Sequence, residues 1–283
     1  MKISRYIRAI KRRLSWRKFV NLPPCVRIQS PLVTIQTCER IILSQQRGAY
    51  LRFGDGDINL AFGHNDLLQE SDYKLQHEME EAFALNGDGI IKALPIHSPL
   101  FGYSSGMQDG MFMSNDKWSE KTLIKVFEYF IGTPIYSPVA LHYIALFARD
   151  HCVSFLKLLK NCNSIFIGNQ DIPMEVLKML FGRTIHLKTP VRSAYQEIDR
   201  IEEEIMQLLN IRREYTVIVL AMGCSGRVLQ KRILLKCPDA ALFIFDFGSL
   251  LDAFCGWKTR SWMDLTGVPG NYYDELLNEV AAK

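Results

Sequence analysis

Thr216-Val217-Ile218-Val219-Leu220-Ala221-Met222, followed at once by Gly223-Cys224-Ser225-Gly226, is the least ambiguous segment of the chain. β-Branched residues crowd its start and no polar alternation follows Thr216, the pattern of a strand covered on both faces. The glycine turn leads into a helical stretch over about 227–236, and Ala240-Ala241-Leu242-Phe243-Ile244-Phe245 supplies the next strand. Strand, turn, helix and strand in so short a span make a βαβ unit, which implies a parallel sheet. No G-x-G-x-x-G opens the helix and no Walker glycine–lysine loop occurs, so neither usual nucleotide fingerprint is present.

The same alternation extends upstream. Ser164-Ile165-Phe166-Ile167-Gly168 predicts a strand, followed by a helix near 173–181, a short strand at Thr184–Leu187 and a polar-faced helix around Ala194–Leu209. Further back, Ala49-Tyr50-Leu51-Arg52-Phe53 and Gly89–Leu94 read as strands, and 117–131 and 139–160 have helical periodicity. The expectation is an α/β protein with a Rossmann-like, predominantly parallel sheet flanked by helices, one domain over residues 21–283. With 283 residues, 48% hydrophobic and 11% aromatic, the chain can bury a large core and is not disordered. No apolar run is long enough to read as a membrane span. Seven scattered cysteines form no C-x-x-C pair and no zinc-ligand spacing, which fits packed thiols in a reducing cytoplasm.

Charge is unevenly distributed. The chain carries 34 Lys and Arg against 30 Asp and Glu. Eight of the basic residues and no acid fall within residues 1–20, so the remainder holds 26 against 30 and is net acidic. In this arm Ile3, Ile7, Ile10 and Leu14 recur at helical spacing with the cations between them. Such an amphipathic arm suits an anionic membrane surface, giving peripheral attachment to the inner face, or packing on the body or a partner. No basic patch continues into the body, so nucleic acid is not an expected partner. Asn21-Leu22-Pro23-Pro24 ends any helix there.

The sharpest chemical feature is Arg52-Phe53-Gly54-Asp55-Gly56-Asp57. Two carboxylates one glycine apart at a strand end can face one hard cation, Mg²⁺ or Mn²⁺, with positions open for diphosphate oxygens. Gly54 and Gly56 permit close backbone approach, and Arg52 offers a charge-assisted contact to phosphate. The same spelling also suits a structural turn with Asx hydrogen bonds, or an acid–base hydrolytic pair. A second candidate is Asp246-Phe247-Gly248-Ser249-Leu250-Leu251-Asp252, whose strand end belongs at the same carboxyl rim as Gly223–Gly226. Gly223 and Ser225 head a helix and offer N–H groups and a hydroxyl to a phosphate. Tyr103, Tyr195 and Trp257 are candidates for stacking on a base or sugar, and Met107, Met111 and Met113 for a lid.

These residues together resemble the GT-D type of nucleotide-sugar glycosyltransferase, a domain long catalogued only as an uncharacterised bacterial family. The family's R-F-G-D-G-E entrance is similar to Arg52–Asp57, its C-P-A-x-x-A-F/Y segment to Thr189-Pro190-Val191-Arg192-Ser193-Ala194-Tyr195, and its A-L-G-x-x-A/G-x-V-L block to Ala221–Leu229. Its D-x-G-H-x-D ending resembles Asp246–Asp252, with Ser249 in place of His and the last Asp displaced by one residue. The likeness covers about residues 35–260. It implies a metal-dependent transferase in which Asp55 and Asp57 hold Mn²⁺ or Mg²⁺ and the donor diphosphate, UDP-sugars among the candidates. The acceptor would be a glycan or lipid-linked glycan hydroxyl. Asp246 or Asp252 would orient that hydroxyl or take its proton, with His64 and His97 as alternatives. Asp57 shortens the family's Glu by one methylene. The rival readings are a metal-dependent phosphohydrolase and a non-catalytic, membrane-associated nucleotide-sugar-binding module.

Overall fold

The computed structural model describes residues 27–94, 125–211, 214–259, 263 and 267–282. The basic arm at 1–20, the Asn21–Pro24 breaker, His97, Tyr103, the methionines at 107–113 and most of the expected 117–131 helix lie outside the described residues. In chain order the elements are β1 (Arg27–Ile28), α1 (Pro31–Leu43), β2 (Gly48–Arg52), α2 (Asp55–Ala61), α3 (Tyr73–Ala84), β3 (Ile90–Ala93) and β4 (Pro134–Ile135). Then come α4 (Ala140–Phe147), α5 (Arg149–Asn161), β5 (Ser164–Asn169), α6 (Met174–Phe181), β6 (Thr184–Thr189), a 3₁₀ turn (Ala194–Glu197) and α7 (Ile198–Ile211). β7 (Thr216–Ala221), α8 (Ser225–Lys236), β8 (Leu242–Asp246), α9 (Leu250–Phe254) and α10 (Tyr272–Ala281) complete them.

Six strands form one sheet in the order β3-β2-β8-β7-β5-β6, and every pairing is parallel. Side chains alternate between two buried layers, as the period of two requires. Val217, Val219, Phe243 and Phe245 face a layer with α1, α4, α5, α6 and α10, whereas Ile218, Leu220, Leu242 and Ile244 face one with α3, α7 and α8. Complete burial of each such aliphatic side chain contributes roughly 1.5–3 kcal/mol before entropy is counted. This double coverage explains why the strands read as unbroken apolar runs.

The expected βαβ unit is present as β7–α8–β8, with the helix beginning two residues earlier than its periodicity indicated. Two local expectations change. Residues 139–160 form two helices rather than one, parted at Ala148 (φ −147°, ψ 56°), because α4 packs on α1 while α5 packs on α6. Gly54–Asp57 is not an open loop: Gly54 caps α2, and Asp55 and Asp57 occupy its first turn. Negative charge is favoured there by the helix dipole.

The chain crosses the sheet so that β2, from its first third, lies beside β8, from its last. The connections after β7 and β5, neighbours in the sheet, leave in opposite directions, β7 towards β8 and β5 towards β6. Ligands in open α/β sheets bind where such connections diverge, at the carboxyl ends.

Candidate active site

A cavity of about 490 Å³ lies along that rim. The segments following β2, β5, β6, β7 and β8 all contribute to it, including Arg52, Asp55, Asn169, Thr189, Gly223 and Asp252. From β2 to β6 the rim covers four interstrand steps, or ~19 Å, room for an extended ligand of nucleotide-sugar size.

The floor is an ordered chain of opposite charges. Arg52 at the end of β2 donates from Nη1 to Asp246 Oδ1 at 3.1 Å, and Arg227 Nη1 donates to the other oxygen, Oδ2. Arg227 Nε stands 3.3 Å from Asp57 Oδ1, and its Nη1 also donates to the Gly223 carbonyl at 3.0 Å. Asp57 Oδ2 accepts the Gly54 N–H at 2.7 Å, half of a capping box. Asp57, Asp246 and Arg227 are 2%, 3% and 8% exposed. Burial pushes the Asp57 carboxyl up to about 6, against the pull of Arg227 and the Gly54 N–H. Burial opposes the charge on Arg227 as well, but Asp246 and Asp57 outweigh it and raise its pKa above the ordinary value.

Arg52 is fixed at its other edge, where Nε donates to the Pro138 carbonyl just ahead of α4. Its guanidinium passes directly beneath Gly248, which adopts φ +67° and has no space for a Cβ beside Arg52. Glycine is thus required there twice, for conformation and for clearance. Gly56 is required by proximity alone: a Cβ would come 2.6 Å from Asp66 Oδ1 and 2.9 Å from Cys224 Sγ.

The sequence-derived residues separate into groups. Arg52, Gly54, Asp55, Gly56, Asp57, Gly223, Ser225, Asp246 and Asp252 all line the one cavity. Asp55 is exposed, whereas Asp57 is committed to Gly54 and Arg227. Each Asp246 oxygen is taken by a guanidinium. Asp252 is half-buried in α9 and accepts a hydrogen bond from Thr259 Oγ1. The Ser225 hydroxyl donates to Met222 O at 3.0 Å, so the head of α8 offers chiefly backbone. Trp257 lines the cavity. Tyr195 does not: it is buried, its N–H donates to Gln69 Oε1, and its hydroxyl donates to Glu78 Oε2 at 3.0 Å. His64 is exposed and outside the lining.

Sequence reasoning missed Arg227, although it sits within the quoted 221–229 block; only burial between two distant carboxylates reveals its role. Asp66 and Asn169 were also missed, and nothing local marks them; Thr189 and Cys224 fall within segments already quoted. For a metal, no group of three or more His, Cys, Asp or Glu is placed to hold one among the described residues. Among the described carboxylates lining the cavity, Asp55 is the exposed one, which suits an ion that arrives with phosphate oxygens and keeps its waters. No described helix is long and apolar enough to cross a membrane.

The fold is shared with solved proteins. A Streptococcus sanguinis protein described as a new glycosyltransferase (DUF1792) superimposes with a TM-score of 0.58 at 18% identity, over 80% of this chain and 82% of that one. A selenomethionine-substituted domain of unknown function 1792 gives 0.57 at 16% identity, over 80% and 79%. A third DUF1792 structure, described as having a distinct glycosyltransferase fold, gives 0.54 at 17% identity, over 79% and 78%. No protein-family model and no curated protein matches the sequence. The chain therefore has the Rossmann-like parallel-sheet architecture of the DUF1792 structures.

Proposed function

We propose that this protein is a GT-D type glycosyltransferase that moves a sugar from a nucleoside diphosphate donor to a hydroxyl of a glycan or lipid-linked acceptor. The observation that carries this reading is the convergence, in one rim cavity, of solvent-facing Asp55, the Arg52 guanidinium and the backbone head of α8. All three suit a diphosphate: N–H groups at a helix start and a fixed guanidinium bind its oxygens, and a carboxylate recruits its cation. The shared fold with a protein described as a glycosyltransferase supports the same reading.

A Mn²⁺ or Mg²⁺ ion held by Asp55 would supply positive charge to the departing diphosphate. The chain's own residues do the rest. Asp246 holds Arg52 and Arg227 in fixed positions, so Arg52 meets the donor without reorganising, the condition under which electrostatic stabilisation is largest. Asp57 fixes the first turn of α2 and hence the placement of Asp55. Asp252 and Trp257, on the β8 side, face the donor sugar and acceptor.

The test is Asp55→Asn. UDP- and GDP-sugars with Mn²⁺ should raise the melting temperature of the wild type, and the exchange should weaken that Mn²⁺-dependent binding at least about tenfold without changing the ligand-free melting temperature. Unaltered Mn²⁺-dependent binding would remove Asp55 from the site. Product analysis separates the rival chemistry, because a phosphohydrolase liberates inorganic phosphate whereas the transferase liberates nucleoside diphosphate.

A further inference from the structure

Behind the β8 side of the cavity, α4 carries a histidine that sequence reading did not single out. His142 is 3% exposed, and its Nε2 lies 3.2 Å from the hydroxyl of Ser249. Ser249 lines the cavity and is half-buried; it follows Gly248 and immediately precedes α9, which holds Asp252. The two are 107 positions apart, so the pair is made by the fold. Its placement is braced: Pro138, four residues before His142, receives Arg52 Nε, and the Arg52 guanidinium packs under Gly248.

A serine hydroxyl on a cavity wall is by itself a poor proton acceptor at neutral pH. With an imidazole nitrogen behind it, the hydroxyl can pass a proton inward as it receives one from a ligand. The carboxylates nearby are less suited, since both Asp246 oxygens are held by guanidinium groups and Asp252 already accepts from Thr259.

We infer that Ser249 and His142 form the route by which the acceptor hydroxyl loses its proton, an inference that rests on the transferase reading above. Ser249 touches the acceptor; His142 acts through it. As the acceptor oxygen bonds to the anomeric carbon, its proton moves to Ser249 Oγ and the serine proton moves to the lone pair of His142 Nε2. The bond from the anomeric carbon to the diphosphate oxygen breaks, the nucleoside diphosphate leaves with that electron pair, and the imidazolium afterwards returns its proton to Ser249 Oγ as the serine releases one to solvent in the cavity. Water can occupy the acceptor position in the same manner.

The experiment measures donor affinity and turnover separately, with UDP-glucose, UDP-N-acetylglucosamine and GDP-mannose as probes and nucleoside diphosphate release as the readout. His142→Gln retains a group able to hydrogen-bond Ser249 but unable to take up its proton. It should leave donor Kd within about twofold and lower kcat about 100-fold, the scale of a general base. Ser249→Ala should do the same, and the double variant should be no worse than either single one, as expected for groups acting in one relay. If the wild type turns over a probe while His142→Gln and Ser249→Ala stay within about threefold of it, the relay is overturned and the transferase stands. Turnover lost in Asp252→Asn but kept in His142→Gln assigns the proton to Asp252 and equally overturns the relay. A wild type that neither binds nor turns over any probe removes the transferase reading, and the relay with it.

Discussion

Arg227 and Arg232 lie on the same helix, α8, and each is surrounded by carboxylates, yet they stand in different surroundings. Arg227 meets Asp57 and Asp246, side chains only 2% and 3% exposed, at the cavity floor. Arg232 meets Glu78, Glu202 and Asp199, of which Asp199 is 75% exposed, and through Glu78 it reaches the Tyr195 hydroxyl. The first cluster holds Arg52 and the head of α2 in place, next to the proposed chemistry. The second braces the segment after β6, whose Ser193 N–H also donates to Leu68 O at 2.9 Å. What separates an organising charge from a bracing one here is what its partners keep without it: Asp199 faces water, and Glu78 and Glu202 also pair with Lys231 and Lys236, whereas Asp57 pairs with Arg227 alone among the described residues.

The largest effect should come from Arg227→Leu, which leaves two buried carboxylates facing each other. Losing one member of a buried ionic set costs about 3–5 kcal/mol, to be read as a lower urea midpoint at an unchanged m-value. Arg232→Leu should cost clearly less, since Asp199 faces water and Glu78 and Glu202 keep Lys231 and Lys236 as partners; equal losses would erase the distinction.

The Asp57 carboxyl gives a pH-dependent contrast of intermediate size. Its pKa moves from 3.8 in the unfolded chain to about 6 in the folded one, so between these values the folded protein holds the proton that the unfolded chain has released. Protons therefore favour the fold in that window: the contribution of this group is greatest below pH 4 and declines by up to ~3 kcal/mol as pH rises through 6. Denaturation of wild type and Asp57→Asn from pH 4 to 7 should show that decline in the wild type alone. Parallel pH profiles would place Asp57 in water rather than in the floor.

The smallest effect belongs to the bracing cluster. Tyr195→Phe removes the hydroxyl donated to Glu78 and should lower stability by about 1 kcal/mol, because Glu78 keeps Arg232 as a partner. A loss of several kcal/mol would show that the outer cluster is as tightly coupled as the floor.

Much of the fold was legible because strands buried on both faces announce themselves locally. β5, β7 and β8 each appear as apolar runs, and the glycine turn at 223–226 marks the start of α8. α1 and α3 were also within reach. Ser30 and Asp72 accept the N–H groups of Val33 and Leu75 in ordinary N-caps, and Pro31 stands at the first helical position, signals that the apolar pattern overshadowed. The break at Ala148 had no comparable mark, because no glycine or proline lies there and packing on different neighbours makes the turn.

The site divides the same way. That Asp55, Asp57, Asp246 and Asp252 belong near one rim followed from strand ends and the logic of a parallel sheet, rules that act within a few residues of each group. Which carboxylate faces water, which is locked to a guanidinium, and that an imidazole stands behind Ser249 came only from tertiary structure. Arg52 and Asp246 are 194 positions apart, and Asp55 and Asp57 stand two positions apart, yet the first is exposed and the second is 2% exposed. Side-chain type and spacing are local properties, whereas burial and ion pairing depend on distant segments that meet only when the sheet closes β2 against β8.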